Sequence, residues 1–93
     1  MTIEHHTFRL ADGVSEAQFL DADRRVQQEF APFQEGFARR TTARDGDVWL
    51  VETLWYSADH AEAALRSDAP AVAALRACID PASESVRRYE TLD

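Results

Sequence analysis

The side chains of this chain best suited to chemistry are its histidines and its large amphipathic aromatics. His6 leads for proton transfer, because imidazole titrates near neutral pH and serves well as a general base. Two readings of it stand side by side: a base facing a pocket, or a strand histidine whose hydrogen bonds are already satisfied. Trp55 ends an alternating, β-rich run, Leu54-Trp55-Tyr56, that passes directly into an alanine-rich stretch opened by Ser57. A strand-to-helix junction suits a ring that lines a small pocket, and it suits plain core packing as well. Trp49 shares that strand face and is a second candidate wall residue. Tyr56 and Tyr89 are candidate hydrogen-bond donors to a bound molecule, and His60, at the start of the next helix, is a solvated or pocket-edge residue.

Metal chemistry finds little support. Adjacent strand residues point to opposite faces, so His5 and His6 cannot serve one pocket. With His60 distant and Cys78 isolated, no pair of residues has metal-ligand spacing, and no metal site is expected. Cys78, among Ala74, Leu75 and Ile79, reads as inert packing on a helix.

Composition narrows the classes further. The 93 residues, 45% of them hydrophobic, suit a single domain spanning residues 1–93. A net charge of −7 argues against nucleic acid and against anionic membrane surfaces, because phosphate binding needs clustered cations. All 10 basic residues are arginine, so Schiff-base chemistry and a P-loop lysine are excluded. A lone cysteine fits a reducing compartment, and no apolar run approaches bilayer length. Met1 to His5 has neither the basic nor the apolar region of a signal peptide, so the expectation is a soluble, cytoplasmic protein.

The elements that must position these groups follow from periodicity. Ile3 to Leu10 reads as a strand with Phe8 and Leu10 on one face and Ile3, His5, Thr7 and Arg9 on the other. Ser15 is a good N-cap with Gln18 at the capping-box position. The helix it opens buries Phe19, Ala22, Val26 and Phe30 and leaves Asp21, Asp23, Arg24, Gln27 and Gln28 to solvent. Phe37 to Arg44 and Asp47 to Tyr56 are strand-like runs joined by Asp45-Gly46, a strong hairpin signal. That turn sets Arg44 opposite Asp47, Thr42 opposite Trp49, Arg40 opposite Val51, Thr41 opposite Leu50 and Arg39 opposite Glu52. Trp49, Val51, Thr53 and Trp55 then share one face, and Val48, Leu50, Glu52, Leu54 and Tyr56 the other. Both faces are apolar-rich, and one set of helices covers only one of them, so a partner sheet is expected on the second. From Ser57 a helix runs through Ala61, Ala64 and Leu65; Ser67-Asp68-Ala69-Pro70 interrupts it and caps a shorter one carrying Val72, Leu75 and Ile79. Ser85 to Leu92 closes the order as a fourth strand. The result is α+β, a ferredoxin-like βαββαβ with a four-stranded antiparallel sheet and helices on one face.

The chain resembles the antibiotic biosynthesis monooxygenase type of dimeric α/β barrel through order of elements and length. The local features that carry the resemblance are Arg9-Leu10-Ala11-Asp12-Gly13, Glu35-Gly36-Phe37, and Trp55-Tyr56-Ser57 followed by Leu65-Arg66-Ser67-Asp68. It implies a homodimer in which two sheets close into one barrel, with Arg39 and Glu52 as an ion pair in its interior. The best-known catalytic pattern of that group has an asparagine on the first strand, a tryptophan ending the third and a histidine on the following helix. Here Trp55 keeps the tryptophan, His6 stands for the asparagine, and Ala74 stands for the haem-ligating histidine. Without that imidazole the haem-degrading branch is disfavoured, and no cofactor is expected. Two function classes follow: a cofactor-independent monooxygenase of a small aromatic or polyketide-like molecule, with His6 deprotonating a phenol, or a non-catalytic small-molecule-binding or stress-responsive dimer.

Overall fold

The computed structural model describes residues 1–92. Strand β1 (Thr2–Phe8) is followed by helix α1 (Glu16–Arg25), then by strands β2 (Phe37–Asp45) and β3 (Val48–Trp55). Helices α2 (Ala58–Leu65) and α3 (Pro70–Ala77) precede strand β4 (Ser85–Glu90). The sheet is four-stranded in the order β2-β3-β1-β4, antiparallel throughout, so β1 lies between β3 and β4. This is the α+β, ferredoxin-like arrangement that the periodicity predicts. Among the described residues no helix is long and apolar enough to cross a membrane.

The sheet buries one face against the helices. Phe8, Trp49 and Val51 meet Phe19, Ala22, Val26 and Phe30 from α1 and its extension, and Ala71, Leu75 and Ile79 from the α3 side. The aromatic contacts at its centre are tight, with Phe19 4.6 Å from Trp49 and 5.5 Å from Phe8 between ring centroids. The capping box at α1 forms as its sequence demands: the Gln18 N–H donates to Ser15 Oγ, and the Ser15 N–H donates to Gln18 Oε1. At α3 the N-cap is Ala69, with Pro70 in the first turn, where its missing N–H costs nothing.

Three features depart from the sequence expectation. The hairpin pairs Asp45 with Val48, Arg44 with Trp49, Thr42 with Val51, Thr41 with Glu52 and Arg39 with Leu54. The expected Arg44–Asp47 and Arg39–Glu52 pairings therefore do not form. Only Gly46 in this turn has positive φ, +62°, which makes Gly46-Asp47 the central pair with glycine first, as in a II′ turn. A turn centred on Asp45-Gly46 with both residues at positive φ would strain the aspartate. Second, α1 does not end cleanly: Val26–Phe30 widens into a π-turn, in which the Ala31 N–H donates to Val26 O, and a 3-10 turn over Ala31–Phe33 follows. Third, Asp23 is 8% exposed rather than solvated.

Among the described residues, none of the helices lies on the opposite face of the sheet. Ile3, Leu50 and Leu54 are partly exposed there, and Val48 and Tyr89 are 37% and 43% exposed.

Candidate functional site

Between the covered face of the sheet and the helices lies a cavity of about 120 Å³. At about 30 Å³ of liquid volume per water, that is room for about four waters, the space of one small planar molecule. The sheet register lays its floor in transverse rows. One row runs Arg40, Thr53, Glu4, Arg88 across the four strands, and the next runs Thr42, Val51, His6, Val86; of these Arg40, Thr53, Glu4, Val51 and His6 line the cavity. Trp55 lines the wall one row beyond Thr53. The π-turn sets Val26, Phe30 and Ala31 along one side, which an α-helical spacing would have splayed. Ala64, Leu65, Val72, Leu75 and Ile79 complete an apolar lining. A neighbouring recess shares Leu65, Arg76, Ile79 and Glu84 with the cavity and forms its mouth. There Arg76 donates to the Leu65 and Ser67 carbonyls and so ties the end of α2 to α3.

Against this lining the polar groups are few and held. His6 Nε2 lies 2.6 Å from Glu84 Oε2, with the two side chains 19% and 35% exposed. A carboxylate only accepts, so Nε2 carries the proton, and in the neutral ring Nδ1 keeps the free lone pair. Phe8 packs edge-on to the imidazole at 4.9 Å and fixes its plane. Glu4 accepts from Arg88 at 3.0 Å, and Arg88 also donates to Glu62 at 2.8 Å. Burial disfavours the Arg88 charge, but hydrogen bonds from it to both carboxylates outweigh that cost and its pKa rises. Arg40, its side chain 5% exposed, donates to Asp23 Oδ1 at 2.6 Å and to Gln27 Oε1 at 3.3 Å. Asp23 Oδ2 in turn accepts from the Thr42 hydroxyl at 2.8 Å. The Trp55 indole N–H, on a residue 5% exposed, has no partner among the described residues. Nor has the hydroxyl of Thr2, its neighbour across the strand pair. Each such orphan costs about 1–3 kcal/mol, a cost that a bound molecule would offset.

The fold brings only part of the expected set together. His6 and Trp55 both line the cavity; Trp49, Tyr56, Tyr89 and His60 do not. Trp49 is core, stacked on Phe19 and covered by Arg44 at 5.2 Å. Tyr56 lies past the end of β3 and is 64% exposed. Tyr89 is on the open face, edge-on to His5 at 5.4 Å. His60 packs beside Gly36 and hydrogen-bonds Ser57 Oγ through Nδ1 at 2.8 Å. Glu52, expected to meet Arg39, instead accepts from His5 Nε2 at 2.6 Å on the open face. Cys78 donates weakly to Ala74 O, and burial pushes its thiol pKa up. No cluster of three or more metal-ligating side chains occurs among the described residues.

Glu84, Arg40 and Asp23 are wall or supporting groups that the periodicity did not single out. A signal for Asp23 existed: it stands four residues after Phe19, inside the apolar stripe of α1, where a carboxylate needs a buried cation.

No protein-family model matches the chain, and no curated protein matches it. Solved structures do. SnoaB, a cofactor-independent oxygenase from Streptomyces nogalater, superposes with TM-score 0.79 at 23% identity, over 99% of this chain and 93% of that one. A protein of unknown function from Nitrosomonas europaea, NE2512, gives TM-score 0.76 at 16% identity, over 99% and 89% of the two chains. A candidate antibiotic biosynthesis monooxygenase from Chloroflexus aurantiacus gives 0.70 at 16%, over 100% and 95%. At these identities the likeness is one of fold, and the fold is that of the antibiotic biosynthesis monooxygenase-like proteins.

Proposed function

We propose that the chain is a cofactor-independent monooxygenase acting on a small aromatic or polyketide-like phenol, with residues 1–93 working as one domain. The observation that carries this reading is His6: its Nε2–H is committed to Glu84 at 2.6 Å, so the lone pair of Nδ1 is left to take a proton beside an apolar cavity. Removing the phenolic proton makes the ring electron-rich enough to reduce dioxygen itself. One oxygen atom becomes a ring carbonyl and the other leaves as water with two hydrogens from the substrate. The protein's part is to exclude water, hold the ring plane against Trp55 and move the proton. SnoaB, with the same fold, is a cofactor-independent oxygenase.

The decisive assay is oxygen uptake with planar phenols, in the protein and in His6→Ala. The reading requires uptake above background, and a fall of about 10²–10⁴ in turnover on losing the base while binding persists. Binding without any uptake would leave a non-catalytic binding protein.

The working species in this proposal is a homodimer. Val48, Leu50, Leu54, Ile3 and Tyr89 form an apolar face that no helix covers among the described residues, and a second copy would cover it with roughly 2,000 Å² buried in total. Light scattering at micromolar concentration should return twice the chain mass; a monomer mass would refute it.

A further inference from the structure

Arg40 is an expensive residue to place on a cavity wall. A buried ion pair recovers its desolvation cost poorly, and an apolar pair of similar volume is often as stable or more so. The Arg40 side chain is nonetheless 5% exposed and held rigidly, by Asp23 at 2.6 Å and Gln27 at 3.3 Å, while Thr42 fixes the second oxygen of Asp23. Those two bonds use two of its five N–H donors, and the other three stay uncommitted among the described residues. Independently, the Trp55 indole N–H is buried on the same wall without an acceptor. In the register Trp55 follows Thr53, the direct cross-strand partner of Arg40, by two residues, so both donors serve one end of the cavity. His6, opposite Val51, lies at the other end, roughly 13 Å along the strand from Trp55 at 3.3 Å per residue.

The charges on the wall narrow what those donors receive. Arg40 is neutralised by Asp23 and Glu4 by Arg88, and the remaining wall charges, Arg76 and Glu84, offset each other, so no unpaired positive charge favours a carboxylate or phosphate ligand. A neutral acceptor, a carbonyl oxygen, remains. We propose that Arg40 is the specificity-determining residue of this cavity: with the Trp55 N–H it binds a carbonyl oxygen of the substrate at the end away from His6. The substrate class is then a planar phenolic ketone, its hydroxyl at the His6 end. The hydroxyl's role rests on the oxygenase reading; recognition of the carbonyl does not.

Calorimetric titration tests this with two probes of one skeleton: the hydroxytetralone whose hydroxyl is para to the carbonyl-bearing carbon, and the tetrahydronaphthol that lacks the carbonyl. The protein should bind the ketone about ten- to a hundredfold more tightly, the value of a hydrogen bond to a charged donor. In the charge-neutral Asp23→Asn/Arg40→Gln variant the two probes should bind within about threefold, with the carbonyl-free one unchanged. Equal affinity in the starting protein, or an unchanged ratio in the variant, overturns the proposal. Trp55→Phe, which keeps an aromatic ring and removes the N–H, should also narrow the ratio, and it carries the test if the double variant does not fold. Oxygen uptake separates the two readings. A carbonyl preference without uptake sinks the oxygenase and keeps Arg40, whereas uptake with a ratio indifferent to Arg40 does the reverse.

Discussion

Asp23→Ala is the substitution through which the buried network is best tested. The carboxylate accepts from Arg40 at 2.6 Å and from the Thr42 hydroxyl at 2.8 Å, with its own side chain 12% exposed and that of Arg40 5% exposed. Truncation removes both bonds and leaves the guanidinium facing an apolar wall with Gln27 as its remaining partner. Breaking a buried pair in this one-sided way costs roughly 3–5 kcal/mol, a large share of the 5–15 kcal/mol of an ordinary domain. At about 4–8 °C per kcal/mol for a chain of this size, the melting temperature should fall by at least about 12 °C. Urea denaturation at fixed protomer concentration measures the loss directly, since any association would otherwise shift the midpoint. Two controls isolate the cause. Glu16→Ala removes a contact of the same 2.6 Å length, to Arg44, but between side chains 53% and 44% exposed, and should cost under about 1 kcal/mol. Asp23→Leu/Arg40→Met replaces both charges with apolar groups and should recover most of the loss. A fall of less than about 1 kcal/mol in Asp23→Ala, or equal losses at Asp23 and Glu16, would refute the reasoning.

Glu84→Ala frees the His6 ring, and turnover of a phenol should drop about tenfold, the worth of one net hydrogen bond, with binding affinity retained; loss confined to affinity would contradict the dyad. Gly36→Ala should destabilise by more than about 1 kcal/mol, because φ is +79° there and the new Cβ would sit 2.7 Å from His60 Cβ and 2.2 Å from its Cγ; a neutral effect by thermal melt would count against this packing. Cys78 has a thiol whose pKa burial raises, so at neutral pH it should react with Ellman's reagent more slowly in the native than in the urea-unfolded protein; equal rates would show an exposed thiolate.

Local chemistry made the elements legible, and partner choice across space hid most of the site. Ser15 and Gln18 announce a helix start with their own atoms, and the alternation of Trp49, Val51, Thr53 and Trp55 declares which side is covered. The hairpin was legible to within one turn position, because Asp45-Gly46 names a turn without saying which central residue takes the positive φ. That one position moved the β2 partner of Glu52 from Arg39 to Thr41, while the β1 register sets His5 on its other side. Glu84 could not be read as the partner of His6, since nothing local to either residue specifies the other. Asp23 was hidden differently. Its place four residues after Phe19 marks it for burial, but only the docking of β2 brings Arg40 and Thr42 over it. The π-turn left no mark beyond Pro32 shortly after it.

Placing β1 at the centre of the sheet also sets an order of events during folding. The β2–β3 hairpin closes through a two-residue turn and can form early, but β1 gains its second neighbour only when β4 docks. His6 and Glu84 are 78 residues apart in the chain, and Glu4 and Arg88 are 84 apart. Closing loops of that length is entropically slow, so the His6–Glu84 contact assembles among the last. A chain halted before that step would present a bare strand edge at β1 together with an open apolar chamber. Such a species is prone to self-association, so the yield of active protein should depend on how quickly β4 closes that edge.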